Sequence, residues 1–259
     1  MIRRLALCAV LVMTVAIAFA AHASAASDLV FCSDVSYPPE EFFEGGKAVG
    51  SDVDIANDVA RRLGMKAKIQ NTGFDGIVAA LLANKCDAII SGMNDTPERR
   101  KSVAFVDYLN VGQSLIVKKD SSRKISGPLD VCGLTAGAQV ATTNLQTLQK
   151  FDKQCKAKGK KGIKIVSFKQ DPLGVTALKT GHLDVYESDS PPAVWYTTKD
   201  TSLKITGKPI SAIPVGIAIH PKNTSLKAKV QKAINAMYKD GTMAKILKRW
   251  KMTQFALKK

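Results

Sequence analysis

Gly92, Asn94 and Arg99 lie close together in Ser91-Gly92-Met93-Asn94-Asp95-Thr96-Pro97-Glu98-Arg99. Their types suit the binding of a small anion. Glycine lets a ligand approach the backbone, and asparagine offers both donors and an acceptor. Thr96 followed by Pro97 has the form of a helix N-cap and a first helical residue. Free N–H groups and a positive dipole end are therefore expected there. Arg99 falls in the first turn, where the dipole alone disfavours a cation. Its planar guanidinium is nevertheless the side chain best shaped for a two-point grip on a carboxylate. The implied chemistry is carboxylate binding, and spacing alone does not separate it from an ordinary solvated helix arginine. Little else suggests catalysis. His182 and His220 are isolated and read as structural or surface residues. No CxxC, metal-ligand spacing, phosphate loop or nucleophile–base pair is present. No metal or cofactor is expected.

The elements that must hold these residues follow from apolar spacing. Ile77, Val78, Leu81 and Leu82 give one helical face. Residues 87–90 form a short apolar strand without alternation, as expected for a strand covered on both faces. Its carboxyl end carries Gly92 to Arg99, where an open α/β sheet places its ligand. Upstream, a strand at 29–32 runs into Ser33-Asp34-Val35-Ser36-Tyr37-Pro38-Pro39, an extended loop. Gly50-Ser51-Asp52-Val53-Asp54 leads into a helix at 55–63 with Gly64 as C-cap. Asp54 reads as a carboxylate at the helix start, and Asp52 either as another or as a partner for a cationic ligand group. A strand at 66–69 follows, and a strand at 114–117 carries the chain onward. A second α/β unit opens at 131–135, and Gly137-Ala138-Gln139 turns into a helix at 140–151. A strand at 163–168 and a helix at 171–179 come next. The stretch after Thr180 is a strand ending in Glu187-Ser188-Asp189-Ser190-Pro191. A strand at 215–219, an amphipathic helix through Leu226 and Met237, and a last helix ending near Trp250 complete the chain.

The chain has 259 residues, 46% hydrophobic and 23% charged, which is ordinary globular composition. Its amino terminus has the form of a secretory signal, residues 1–25. Arg3 and Arg4 precede an apolar run, and small residues at 21–26 place cleavage near Ala25. Cys8 comes too early to be a lipid-anchored first mature residue. No later stretch is long and apolar enough to span a membrane, so a soluble, exported protein is expected. The net charge of +16 becomes +14 without Arg3 and Arg4. Lysine dominates and is scattered, with density at 150–164 and at the C-terminus, and no aromatic stacking pattern accompanies it. A solvated lysine-rich surface is expected, and no nucleic-acid partner. Four cysteines remain after cleavage, which suggests disulfides. Cys132 at a strand start and Cys155 near the end of the following helix are the preferred pair. Cys32 and Cys86 are left as a second pair or as two buried thiols on neighbouring strands.

Phe74-Asp75-Gly76, Asp87-Ala88, Ser91-Gly92-Met93-Asn94 and Thr96-Pro97-Glu98-Arg99 together resemble the core of the periplasmic polar amino-acid-binding proteins of ABC importers, bacterial solute-binding protein family 3. Asp189-Ser190-Pro191 and Asp240-Gly241-Thr242 with Trp250 extend the resemblance over nearly the whole mature chain. It implies a type II periplasmic-binding-protein fold, two α/β domains joined by two hinge segments. Lobe one would be 26–112 plus 214–259, and lobe two 113–213. By the same resemblance Tyr37 and Phe74 stack about the ligand, Asp34 reaches its side chain, and Gly92, Met93 and Asn94 line the turn. Arg99 would take the carboxylate and Asp189 the α-amino group. Gln139 stands where the family has a hydroxyl turn and would keep only a backbone contact. Ser51 and Glu40 replace aromatics, removing bulk and adding polarity at one edge of the cleft.

The expected function is an extracytoplasmic receptor, not an enzyme, that captures an amino acid or similar zwitterion between closing lobes and delivers it to an ABC permease. It would act as a monomer. Asp34, Glu40 and Asp52 favour a cationic or polar ligand, whereas the basic surface would suit an acidic solute. The alternative from another class is a periplasmic dehydratase acting on prephenate or arogenate on the same fold. Such an enzyme needs a general acid, for which Glu187 or Glu40 would be the candidates.

Overall fold

The computed structural model describes residues 27–258. The expected signal peptide and its cleavage near Ala25 lie outside the described residues. The chain opens with β1 (Asp28–Ser33). A small antiparallel sheet of β2 (Ser36–Tyr37), β3 (Glu41–Glu44) and β4 (Lys47–Val49) follows, then α1 (Ser51–Arg62), β5 (Lys66–Asn71), α2 (Ile77–Leu82) and β6 (Ala88–Ile89). Strand β7 (Ala104–Lys118) leads to a second run of β8 (Thr135–Gln139), α3 (Thr143–Ala157), β9 (Lys164–Phe168), α4 (Asp171–Lys179), β10 (Val185–Asp189) and α5 (Ser190–Lys199). Strand β11 (Leu203–Ile219) then returns to α6 (Thr224–Lys239) and α7 (Thr242–Arg249).

The main sheet has the order β5-β1-β6-β11-β7-β10-β8-β9. Its outer thirds are parallel: β1 pairs with β5 and β6, and β8 pairs with β9 and β10. The middle is the antiparallel pair of β7 and β11, whose register slips near Thr206, Ile210 and Val215. Separate apolar cores flank this pair. Phe31, Ile55, Val59, Val106, Leu109, Ile234 and Met237 lie in one, and Val117, Ala136, Leu148, Phe151 and Val185 in another. Strand β7 thus feeds one core with its first half and a second core with its last turn of sequence. This is the two-lobed type II arrangement.

Several elements depart from expectation. The strands expected at 114–117 and 215–219 are the ends of β7 and β11, which have 15 and 17 residues. Asp107, Asn110 and Gln113 interrupt the apolar run of β7, but pairing with β11 carries the strand through all three, and β10 joins on the other edge from Gln113. The helix expected from Pro97 is a single 3-10 turn, Arg99–Lys101. Thr96 does accept a bond from Arg99 N (3.2 Å), but a turn this short supplies no helix-dipole anion site. The strand expected from Val131 starts at Thr135, after a 3-10 turn at Pro128–Val131. Helix α3 starts at Thr143, because β8 runs to Gln139 and Ala141 adopts φ +62°. The hairpin β2–β4 was not foreseen.

Cys132 and Cys155 form a disulfide (S–S 2.00 Å), as do Cys32 and Cys86 (2.07 Å), so the latter are not two free thiols. Outside the cleft, Phe42 of β3 stands between Trp195 of α5 and Trp250 after α7, with ring centroids 5.3 and 5.9 Å apart. Trp250 also donates to Asp54 (2.8 Å), which therefore ties the C-terminal helix to α1.

Candidate functional site

Lobe one builds its wall from three strand ends and the start of α1. Asp34 follows β1, and its backbone N–H donates to Ser91 Oγ at 2.9 Å. Ser91 donates in turn to Glu41 (2.7 Å). Gly92 adopts φ +48°, and a Cβ there would lie 3.0 Å from the Tyr37 ring. Only glycine permits both the conformation and the close approach. Gly92 N–H and the Tyr108 hydroxyl both donate to Asp52 (2.8 and 2.6 Å) in the first turn of α1. The start of that helix is closed by the carbonyls of Pro39 and Glu40, which accept from Ser51 and Asp52 N–H. Asp52 is thus held inside lobe one. Met93 sends its side chain into an apolar core with Ile77 and Leu81 and offers the cleft no side-chain atom.

Arg99 lies 5.3 Å from the Phe74 ring centroid, in cation–π contact. It donates to the carbonyls of Asn94 (2.8 Å) and, across the cleft, Ala141 (3.2 Å). No carboxylate of the described residues pairs with it. Its neighbour Arg100 is instead spent on Asp95, in a two-point bond of 2.6 and 2.5 Å. Of the two adjacent arginines, Arg99 is the one whose charge remains for a ligand.

Lobe two meets this wall with the end of β8, the start of α3 and the end of β10. Gln139 donates to Asp34 (2.7 Å) and to the Lys169 carbonyl. Thr143 donates to Asn94 Oδ1 (2.5 Å). Asp189 accepts from Asn94 (3.1 Å) of lobe one and from Asn144 (3.0 Å) of lobe two. Its backbone N–H donates to the Tyr37 hydroxyl at 3.2 Å. Asp189 occupies the N-cap position of α5 but makes no side-chain capping bond, so its carboxylate is committed to the cleft. These bonds hold the lobes in a closed arrangement.

Between them a nearly filled cavity of about 10 Å³ is lined by Asp34, Tyr37, Glu41, Phe74, Ser91, Gly92, Asn94, Gln139, Thr142, Asn144 and Asp189. A larger open groove beside α6, lined by Arg62, Leu226 and Lys229, contains none of these residues. Of the expected site residues, Asp34, Tyr37, Phe74, Gly92, Asn94, Gln139 and Asp189 meet at the cavity. Arg99 stands beside Phe74 and Asn94 without being part of the lining, and Asp52 and the Met93 side chain stand behind the cavity. Glu41, Ser91, Thr142, Thr143 and Asn144 were not anticipated. Thr142 is the N-cap of α3, its Oγ1 accepting from Leu145 N, and Ala141-Thr142-Thr143-Asn144 carries the cap signal that would have found them.

The site is strongly acidic for a buried one. Burial pushes Asp189 up to about 6, against the hydrogen bonds from Asn144 and Asn94 and the charge of Arg99. Burial raises Asp34 too, opposed by bonds from Ser36 and Gln139. Glu40 and Glu41 are held well above the usual carboxylate range by burial and by the charge of Asp52. Burial also draws Arg99 down from its ordinary value. The chemistry of the site is thus a set of buried acids facing a single unpaired guanidinium among the described residues.

Residues 29–253 match the family model of bacterial extracellular solute-binding proteins, family 3. The chain is 30% identical over 239 residues to ABC transporter arginine-binding protein 1 of Escherichia coli (strain K12), covering 90% of this chain and 94% of that one. Among solved structures it is similar to an ancestral arginine-binding protein bound to arginine, with 34% identity, a TM-score of 0.81, and coverage of 86% and 98% of the two chains. It is also similar to AncCDT-1, an ancestral amino acid-binding protein described as a precursor of cyclohexadienyl dehydratase, with 31% identity, a TM-score of 0.79, and coverage of 86% and 95%. The motifs, the two-lobed fold and a match spanning nearly all of the described chain agree, and the chain belongs to the bacterial extracellular solute-binding proteins, family 3.

Proposed function

We propose that this chain is the periplasmic receptor of an ABC importer, that it is exported with cleavage near Ala25, and that its ligand is an α-amino acid with a cationic side chain, arginine first among them. The observation that carries this reading is the charge layout of the closed cavity. Arg99, the unspent guanidinium, stands on one lobe, and Asp189 faces it from the other. Asp34 and Glu41 line the remaining wall. Arg99 would take the carboxylate, Asp189 the ammonium, and Asp34 with Glu41 the distal cation. Tyr37 and Phe74 would cover the aliphatic part. A ligand held by both lobes favours the closed state through contacts that the open state lacks. Lobe one would comprise 26–112 plus 214–259 and lobe two 113–213, with β7 and β11 as the hinge. The similarity to an arginine-bound relative supports the ligand class.

Binding is preferred to a dehydratase activity, although one similar structure is a precursor of such an enzyme. The acids that reading would need, Glu187 and Glu40, are buried and do not line the cavity. Calorimetry on mature protein, unfolded and refolded to strip carried-over ligand, tests the proposal. L-arginine should bind tightly, and Arg99→Ala should weaken it by about 2–3 kcal/mol, the loss of a charge-assisted two-point bond. An affinity order with acidic amino acids on top overturns the cationic reading. Absence of binding across the amino acids, with turnover of prephenate or arogenate, overturns the receptor.

A further inference from the structure

Helix α5 carries Val194, Trp195, Thr198 and Lys199 as two pairs spaced four residues apart, so they share one face. Ala193 and Tyr196 turn the other way, into an apolar core with Ile116, Tyr186 and Leu203 of lobe two. Beyond α7, Trp250, Met252 and Phe255 pack on the core of lobe one. The outer face of α5 and this C-terminal segment meet along a groove of about 260 Å³ between the lobes. The groove shares no lining residue with the amino-acid cavity. Its volume lies just under the roughly 300 Å³ at which small-molecule pockets begin, room for one ring and a short chain.

Two kinds of side chain make the groove. One is apolar: the two indoles with Val194, Met252 and Phe255. Phe42 backs both indoles, with ring centroids 5.3 and 5.9 Å away, so the aromatic wall is already assembled. The other kind is cationic. Lys199 Nζ stands 4.9 Å from the Trp195 ring centroid, and the Arg249 guanidinium 5.3 Å from that of Trp250. Lys251 is the third cation of the lining, and no acid belongs to it. Arg249 is paired with Asp54 (3.2 Å) outside the groove, but Lys199 and Lys251 form no ion pair among the described residues. Lys251 also adopts φ +59°, a conformation that glycine takes without strain, yet a lysine stands there.

Cations without an acid, set beside an aromatic wall, complement one class of molecule: a flat apolar body that carries an anionic group. A cationic occupant would be repelled, and a purely apolar one would leave the lysines unanswered. We propose that this groove is a second ligand site, for a small aromatic carboxylate held between α5 and the C-terminal segment. The ring lies against Trp195, Trp250 and Phe255, and the carboxylate meets Lys199 and Lys251. The site does not depend on which solute the cleft takes.

3-Phenylpropionate is the probe, read by tryptophan emission and by calorimetry. Wild type should bind it, and excess L-arginine should not displace it. The neutral 3-phenylpropionamide should bind about tenfold more weakly, the scale that two exposed ion pairs supply, and 3-phenylpropylamine more weakly still. The double variant Lys199→Gln/Lys251→Gln, at two exposed positions, should lose the same tenfold for the acid. Arg99→Ala should bind the acid as wild type does. Absence of binding by wild type overturns the inference, as does equal binding of acid and amine or an unchanged affinity in the double variant. Displacement by L-arginine or loss of binding in Arg99→Ala also overturns it, by placing the probe in the cleft. Sedimentation of the protein alone tests a rival occupant: a dimer that Trp195→Ala dissolves would assign the groove to a second copy of the chain and overturn the ligand site.

Discussion

Asp189→Asn should close the empty receptor while weakening its grip on ligand. In the closed arrangement burial moves the Asp189 carboxyl from its ordinary value of 3.8 to about 6. That difference of about two pH units amounts to about 3 kcal/mol, at about 1.36 kcal/mol per unit. The sign follows from linkage. The closed-state value is raised, so closure without ligand is unpenalised below pH 3.8, and the penalty develops as pH rises to about 6 and is then constant. Above that range the empty closed form is disfavoured by about 3 kcal/mol on this account alone, roughly a hundredfold in population. The asparagine removes the charge but turns its amide NH2 toward either Asn94 or Asn144, each of which now donates to Asp189. One lost donor bond returns about 1 kcal/mol. A net gain of about 1–2 kcal/mol in closure should remain, a shift of roughly tenfold or more. Ligand binding should nevertheless weaken, because the ammonium loses its charged partner, worth about 3 kcal/mol. Small-angle scattering on ligand-free protein at pH 5 and pH 8 gives the radius of gyration. Asp189→Asn should be the more compact protein at pH 8, and wild type should become more compact on acidification. A variant as extended as wild type at pH 8, or wild type that compacts as pH rises, would refute this account of Asp189.

Gly92→Ala should destabilise by about 1–3 kcal/mol, since φ +48° is strained for alanine and its Cβ would press on the Tyr37 ring. Denaturant unfolding measures this, and a midpoint unchanged from wild type would count against the close approach. Cys132→Ser should lower stability by about 3 kcal/mol, and Cys32→Ser by about 4, from closed loops with sequence separations of 23 and 54. Thermal melts under oxidising and reducing conditions should show both losses in the wild type on reduction and one in each variant. Phe42→Ala removes two aromatic contacts, each worth about 0.5–1.5 kcal/mol. It should make the ligand-free protein more extended and raise the dissociation constant several-fold, and an unchanged scattering profile would rule out a role for Phe42 in holding the lobes.

The parts of the site that could be read from sequence are those whose local chemistry and tertiary role coincide. Gly92, Asn94 and Arg99 sit on a turn with distinct punctuation, and Asp189 precedes Ser190 and Pro191 at a strand end. The misread parts are those where tertiary contacts override local pattern. Strand β7 keeps its pairing through Asp107, Asn110 and Gln113, because β11 bonds it along its length and β10 adds a second edge from Gln113. The hairpin β2–β4 has adjacent phenylalanines with opposite fates: Phe42 packs on two tryptophans and Phe43 is 53% exposed. No alternation in a strand so short distinguishes them. Glu40 reads as a polar residue at one edge of the cleft and nothing singles out Glu41, and their burial against the start of α1 and Ser91 came from the fold alone. Thr143 and Asn144 were hidden by starting α3 too early, at Val140, which left the Thr142 cap inside the expected helix.

Trp195 and Trp250 are the two tryptophans of the chain. Both lie against Phe42 of β3, Trp195 from α5 and Trp250 from just after α7. Indole emission shifts in colour and yield with the polarity of its immediate surroundings, and parting these rings would admit water to both. The receptor therefore contains an intrinsic optical gauge of its aperture, free of background from indoles elsewhere in the molecule. Stopped-flow mixing of unlabelled protein with solute could then time the jaw as it shuts, separately from the encounter that precedes it.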